Sequence, residues 1–209
     1  LYQESAARKT ADKAINILQG RCVGGSTTVN WTSSFRTPPR TLQWWQSAWG
    51  LKRLGVDAMA PWFAAMEQRL HVGLWPIPPN ENNAALARGA AQLGIPLAVI
   101  PRNVKMCWNL GYCGMGCPTN AKQSMLLTTL PAALTNGAML ISRLRAERFE
   151  FSGNKAISLT ALAMKADGIH PSSVKVTLRA RHFVLAGGAV NSPALLLRSK
   201  AVDPHGLLG

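Results

Sequence analysis

The sequence predicts a mixed α/β (α+β) chain, in which a helical portion leads into a β-meander and closes on a strand, a glycine turn and a helix. Three observations predict it. Apolar residues recur at helical spacing between Thr41 and Asn136, and the period changes to two between Arg148 and Ala180. His182-Phe183-Val184-Leu185-Ala186 is then a short continuous apolar run directly ahead of Gly187 and Gly188.

Taken in order, residues 1–16 are polar and alanine-rich, and fit either a helix or an extended arm. Residues 20–40 open Gly20-Arg21-Cys22-Val23-Gly24-Gly25-Ser26-Thr27-Thr28-Val29-Asn30-Trp31, too rich in glycine and hydroxyls for a core element. Thr37-Pro38-Pro39 halts any helix there. A loop or helix start wrapped around something is expected.

Trp44, Trp45, Ala48 and Trp49 then share one stripe of a helix. A second helix is expected from about Asp57, as its cap, through Phe63, Met66 and Leu70, with Pro61 early enough to be tolerated. After the proline-rich connector 75–79 comes a third, capped by Asn82 or Asn83, running to Leu93 with Gly94 just past its end. A fourth is expected from Ala121 to about Asn136, kinked at Pro131 and stopped by Gly137.

Residues 148–151, 156–164 and 174–180 alternate apolar and polar, parted by the turn signals Ser152-Gly153-Asn154 and Asp167-Gly168. They read as a three-stranded meander. The run 182–186 reads as a strand buried on both faces, and a last helix is expected from Asn191-Ser192-Pro193.

The net charge is +14, from 23 basic and 9 acidic residues, which raises nucleic acid, an anionic membrane surface or an acidic partner. The charge is dispersed, however. Its densest cluster is Arg143, Arg145 and Arg148, and no recognition motif accompanies it, so nucleic acid is not expected. No apolar segment reaches the ~18 residues that span a bilayer. Four cysteines in a chain this long are not needed as staples, and a reducing compartment is the simpler expectation.

Two segments suit a dinucleotide. Gly24 and Gly25 permit close backbone approach, while Ser26, Thr27 and Thr28 offer hydroxyls to phosphate oxygens. Asn30 adds an amide that both donates and accepts at a heterocycle edge. Gly187, Gly188 and Ala189 precede a helix whose N-terminus favours an anion. Either alone is equally a tight turn.

Together they carry more. Gly20-Arg21-x-Val23-Gly24-Gly25-Ser26-Thr27-x-Val29-Asn30 resembles the first signature of the glucose–methanol–choline (GMC) oxidoreductase family. Gly188-Ala189-x-x-Ser192-Pro193-x-Leu195-Leu196-x-x-Ser199 resembles the second, in the family's order, with nearly the whole chain between them. The segment through Ala121-Lys122-Gln123-Ser124 is similar to the long-chain alcohol oxidase and dehydrogenase branch.

The resemblance implies part of an FAD-binding Rossmann-like fold with a β-meander, plus part of a helical substrate-binding domain. It assigns residues 1–40 to an FAD-contacting segment. Residues 41–136 become a helical substrate-domain portion that includes the cysteine loop 107–117, and 137–209 the meander, final strand and helix of the FAD domain. By it, Gly24, Gly25, Ser26, Thr27 and Thr28 lie along the flavin and its diphosphate, and Asn30 and Trp31 near the isoalloxazine ring. Arg148 falls where the family touches adenine through its backbone, and Gly187, Gly188 and Ala189 pass close to the cofactor.

The implied reaction is oxidation of an alcohol to a carbonyl by hydride transfer to flavin. Its substrate is a small-molecule alcohol, for which the Trp and Leu of the helical portion suit an apolar body, though core packing explains them too. The electron acceptor is left open. The implied location is the cytoplasm or the periphery of the inner membrane, with peripheral membrane association among the expected partnerships.

Departures from the family pattern qualify this. Val29 stands where some relatives attach FAD through a histidine, so a non-covalent flavin is implied. Phe35 and Pro38 arrive one residue late, and Lys200-Ala201 replaces an expected glycine and aliphatic. The family's Gly-x-Gly-x-x-Gly turn and its C-terminal catalytic histidine do not occur within these residues. His71, His170, His182 and His205 sit in no matching context. The sequence therefore reads as an interior piece of a longer polypeptide, with no catalytic residue of its own and unable alone to hold FAD tightly or turn over substrate; the remainder of that polypeptide is its expected partner.

One alternative starts from Cys107, Cys113 and Cys117. Three thiolates so close suit part of an iron–sulfur cluster, or zinc with a fourth ligand, in an electron-transfer module. A loop of reduced cysteines or a Cys–Cys link fits the spacing as well.

Overall fold

A computed structural model describes residues 1–209, which divide into two compact units, Leu1–Ala138 and Met139–Gly209. It is a mixed α/β structure, as the sequence predicts.

The first unit begins with an arm that doubles back. Tyr2 bridges Gly20 and Lys9 bridges Asn16 in antiparallel sense, and Gln3 N–H donates to Gln19 O at 2.8 Å. The arm is neither a regular helix nor fully extended: a 3₁₀ turn, Gln3–Ala6, sits within this bridged hairpin. A 3₁₀ turn, Gly25–Thr28, follows.

Helix α1, Pro39–Trp49, opens on a proline whose missing N–H is no loss there, and ends at Gly50 with φ 63°. Its buried residue is Leu42, whereas Trp44 and Trp49 meet edge to face, 6.1 Å apart, on the exposed side. The tryptophan stripe is therefore not this unit's core.

Helix α2, Val56–Arg69, starts one residue before Asp57, which occupies its first turn rather than its cap. An acidic side chain is favourable there against the helix dipole. Arg36 binds Glu67 of α2 through two hydrogen bonds, of 2.7 and 2.6 Å.

Strand β1, Val72–Gly73, pairs antiparallel with β2, Arg102–Asn103. Between them runs α3, Glu81–Gln92, capped by Asn80, whose side chain accepts from Asn83 N–H at 3.0 Å. The cap lies two residues ahead of the expected Asn82, because Pro78-Pro79 ends just there and releases the chain into a helix. Gly94, with φ 66°, closes it as expected.

The fourth helix is shorter than the sequence suggests. Only Thr129–Thr135 is helical (α4), with Pro131 in its first turn rather than at a kink. Residues 121–124 instead run as an extended stretch, with Lys122 bridged to Val104 and its ammonium tied to three carbonyls, and 125–128 form turns.

The second unit is built on the predicted meander. Strands β3, Leu144–Ser152, β4, Lys155–Met164, and β5, Pro171–Leu178, pair antiparallel in that order. Phe149 faces Leu159, Ala161 faces Val176, and a bulge interrupts β3 between Ala146 and Arg148. Phe149, Ala161 and Met164 are buried along with Leu195 of helix α5, Gly188–Arg198, which packs on β3.

Residues 182–186 correct one expectation. They form no strand, and Val184 is 92% exposed. A strand exists only through partners, and no segment of the chain lies alongside to pair with this one. Phe183 and Leu185 are half-buried, and the Phe183 ring meets Phe149 edge to face at 5.4 Å. Helix α5 also begins earlier than expected, at Gly188 rather than near Asn191.

No helix is long and apolar enough to cross a membrane.

Candidate functional site

Within the first unit, three stretches meet around Lys122. Asn103 N–H donates to Thr32 O at 3.1 Å, Gln123 N–H to Asn103 O at 3.0 Å, and Lys105 N–H to Ala121 O at 2.8 Å. The 20–34 segment, the 102–105 segment and the end of the cysteine loop are so laced together. Tyr2 adds a hydrogen bond from its hydroxyl to Gly114 O, tying the N-terminal arm to the same loop.

Lys122 is 3% exposed, and its ammonium donates to Thr28 O at 2.8 Å, Asn30 O at 2.6 Å and Cys113 O at 2.6 Å. Burial pushes its pKa below the ordinary lysine value, Cys113 and Cys117 oppose that, and Arg102 adds to it. Three carbonyl dipoles thus solvate a buried cation, whose three donors are all used.

The turn this cation holds is shaped by glycine. A Cβ on Gly20 would meet Gly25 O at 2.7 Å and Ser26 Cα at 2.8 Å, so the two backbones approach as only glycine allows. Gly24 has φ 90°, and a Cβ there would meet Thr28 Oγ1 at 2.6 Å. Gly25, at φ 59°, differs: nothing lies within 4 Å of where its Cβ would be. Its face borders open space.

The hydroxyls mostly work inward. Thr27 Oγ1 donates to Gly24 O at 2.6 Å and accepts from Met125 N–H at 3.0 Å. Thr28 Oγ1 donates to Val23 O at 3.2 Å, while Ser26 Oγ accepts from Gly20 N–H at 2.9 Å and keeps its own hydrogen to give. These side chains stiffen the turn. Asn30 is exposed, its side-chain oxygen accepting from Thr32 N–H at 3.2 Å, and Trp31 is 61% exposed.

Trp31 and Arg102 form a wall common to two hollows. The smaller, of about 180 Å³, is lined by Cys107, Cys113 and Cys117 as well. The larger, of about 1080 Å³, is mainly apolar, with Ile77, Leu86, Leu97 and Val99 along it. The Arg102 guanidinium stacks 4.1 Å from the Trp75 ring centroid and donates to Thr32 Oγ1 at 2.7 Å and Trp31 O at 3.0 Å. Thr32 is fully buried at φ 67°, a left-handed backbone that costs a β-branched residue energy and persists through these bonds.

The remaining candidates belong to the second unit. Arg148 lies exposed on β3, 3.4 Å from Glu150. Gly187 caps α5, and Gly188, at φ 88°, and Ala189 stand exposed in its first turn. Bare peptide N–H groups at that end suit an anion.

The structure does not support the metal alternative. No three His, Cys, Asp or Glu side chains gather as a metal ion needs. Each thiol of the loop has another partner: Cys107 Sγ accepts from Asn109 N–H, Cys113 Sγ from Arg102, and Cys117 Sγ meets the Thr119 hydroxyl, each at 3.4 Å. An iron–sulfur or zinc module built on Cys107, Cys113 and Cys117 is not supported.

Sequence reasoning missed Lys122, Arg102, Thr32 and Trp75. Only the Arg102-Asn103 dipeptide between apolar and proline residues hinted at a fixed polar site.

A family profile described as GMC oxidoreductase matches residues 1–209. Long-chain-alcohol oxidase FAO4B of Arabidopsis thaliana is 31% identical over 211 residues, covering 98% of this chain and 28% of that protein. An uncharacterized GMC-type oxidoreductase of Mycobacterium tuberculosis is 33% identical over 211 residues, covering all of this chain and 32% of its own length. The crystal structure of pyridoxine 4-oxidase from Mesorbium loti superposes with a TM-score of 0.67 at 20% identity, over 88% of this chain and 37% of that one. The chain spans about a third of the length of the proteins it matches.

Proposed function

The chain belongs to the GMC oxidoreductase family, and from that premise we propose that it is part of an FAD-dependent enzyme that oxidises an alcohol to a carbonyl. One observation carries the reading: a turn locked by Lys122 in which Gly25, unlike Gly20 and Gly24, has open space where a Cβ would stand. Such a face admits a flat or phosphorylated ligand against bare peptide.

FAD would be held by the 24–31 segment of the first unit, where the backbone at Gly25 is open. When bound, it supplies the acceptor for the electron pair leaving the alcohol carbon. Val29 offers no nitrogen for a covalent link, so retention is non-covalent. This chain's own residues bind and orient: Lys122 fixes the Thr28 and Asn30 carbonyls, and Trp31 lines the apolar hollow. That hollow fits an alcohol with a hydrocarbon body, in keeping with relatives named long-chain-alcohol oxidases. The proton of the alcohol is taken up by a histidine outside residues 1–209, as the family pattern implies.

The test uses the full polypeptide. It is expected to purify with a flavin that acid precipitation releases, and whose visible absorption bleaches without oxygen when a long-chain primary alcohol is added. Folded protein that takes up no flavin, or flavin that no alcohol reduces, would refute the proposal. Reoxidation by oxygen or only by a dye then separates oxidase from dehydrogenase.

A further inference from the structure

We propose that Cys113 and Cys117 form a redox-active thiol pair, in which Cys117 reacts with a peroxide and Cys113 closes a disulfide upon it. Both line the 180 Å³ hollow, both are free and half-buried, and Cys107 shares that wall.

Two cations border the pair's loop. Arg102 Nη2 lies 3.4 Å from Cys113 Sγ, and the Lys122 ammonium lies 2.6 Å from Cys113 O. Neither cation faces a carboxylate. The acidic residues of 1–138 are Glu4, Asp12, Asp57, Glu67 and Glu81. Glu4 binds Arg8, Glu67 binds Arg36, Asp12 is held by Thr10 and Ala14, and Asp57 and Glu81 stand in the first turns of α2 and α3. Cys113 Sγ is thus the thiol that Arg102 reaches, on the wall it shares with Cys117.

Cys117 has further support. Burial raises its pKa, but hydrogen bonds from the Thr119 hydroxyl and from the N–H groups of Lys122, Thr119 and Ala121 outweigh that, holding the thiol below its ordinary value. Cys22 lies outside the hollow, its Sγ 3.5 Å from Gly25 O, and serves as an internal reference.

The spacer is Gly114-Met115-Gly116, with Gly116 at φ 81°. Two glycines let so short a loop bring the Cα atoms to the ~5.5 Å a disulfide requires. The Cys117 thiolate attacks one peroxide oxygen, the O–O bond breaks, and the departing hydroxide takes a proton to become water. The Cys113 thiolate then attacks the sulfenic sulfur, the S–O bond breaks, and a second water leaves. Two thiols and one hydrogen peroxide give one disulfide and two waters.

The full polypeptide, reduced and then treated with equimolar hydrogen peroxide, is read by fragment mass spectrometry. The expected product is a Cys113–Cys117 bridge that dithiothreitol reverses. Cys113→Ser leaves a dimedone-trappable sulfenic acid on Cys117, and Cys117→Ser leaves Cys113 reduced. Iodoacetamide labels Cys117 at least ~10-fold faster than Cys22 at neutral pH. A bridge through Cys107 or Cys22, equal labelling of Cys117 and Cys22, or four thiols that stay reduced would each overturn the assignment.

Discussion

The buried Lys122 ammonium lies 2.6 Å from the carbonyl oxygen of Asn30, 92 residues earlier in the chain, and reaches Thr28 O and Cys113 O as well. A lysine without a carboxylate is costly to bury, and here backbone dipoles offset that cost. The cation is therefore tied to the shape of the turn it holds.

Lys122→Met keeps the bulk and removes the donors, stranding three carbonyls. An expected loss of about 3 kcal/mol follows, read as a lower urea midpoint for the full polypeptide. Flavin retention should fall with it. A variant as stable as the parent would mean that water replaces the ammonium.

Gly20 and Gly25 separate folding from binding. Gly20→Ala drives a methyl into the backbone of Gly25 and Ser26, which cannot yield, so a loss of about 1–3 kcal/mol is expected. Gly25→Ala meets no atom and bears only the left-handed backbone cost, about 1 kcal/mol. It nevertheless puts a methyl on the open face. Weaker flavin binding with near-parental stability is the expected signature, and unchanged flavin affinity in Gly25→Ala would move the ligand elsewhere.

How far the sequence speaks depends on whether a signal is local. The meander was legible because β3, β4 and β5 carry their own alternation, with Gly153 and Gly168 at positive φ in the turns. Residues 182–186 were not, since an apolar run becomes a strand only when neighbours pair with it. The 24–31 turn was visible from its glycines, while the pin beneath it was not. Nothing local marks Lys122 as buried between Ala121 and Gln123; its burial arises from carbonyls over 90 residues away. The inward use of the Thr27 and Thr28 hydroxyls is likewise set by packing that composition does not encode.

The β4–β5 turn carries a pH dependence. Asp167 accepts from the His170 ring at 2.8 Å and from the N–H groups of His170 and Ile169, and these bonds, the ring's first, hold its carboxyl well below the ordinary 3.8. A depressed carboxylate pKa stabilises the fold fully above the ordinary value, and that contribution fades as pH falls through the folded value. Asp167→Asn should therefore flatten the loss of stability between about pH 4 and pH 2. Equal acid slopes for parent and variant, measured by urea unfolding at each pH, would contradict this.

Ser199 closes the second unit. Its hydroxyl donates to Leu195 O at 2.6 Å and accepts from Phe149 N–H at 2.9 Å, so one buried oxygen joins the end of α5 to β3 beside the bulge. Both neighbours, Phe149 and Leu195, are buried, and water has no ready access to the amide. Ser199→Ala should cost about 2 kcal/mol by stranding that N–H, and amide exchange at Phe149 should accelerate before that of Ala161 on the central strand. Ser199→Thr retains the hydroxyl and should keep Phe149 protected even if its added methyl lowers overall stability. Were Phe149 to exchange at the parental rate in Ser199→Ala, the helix would be held on the strand by apolar packing alone.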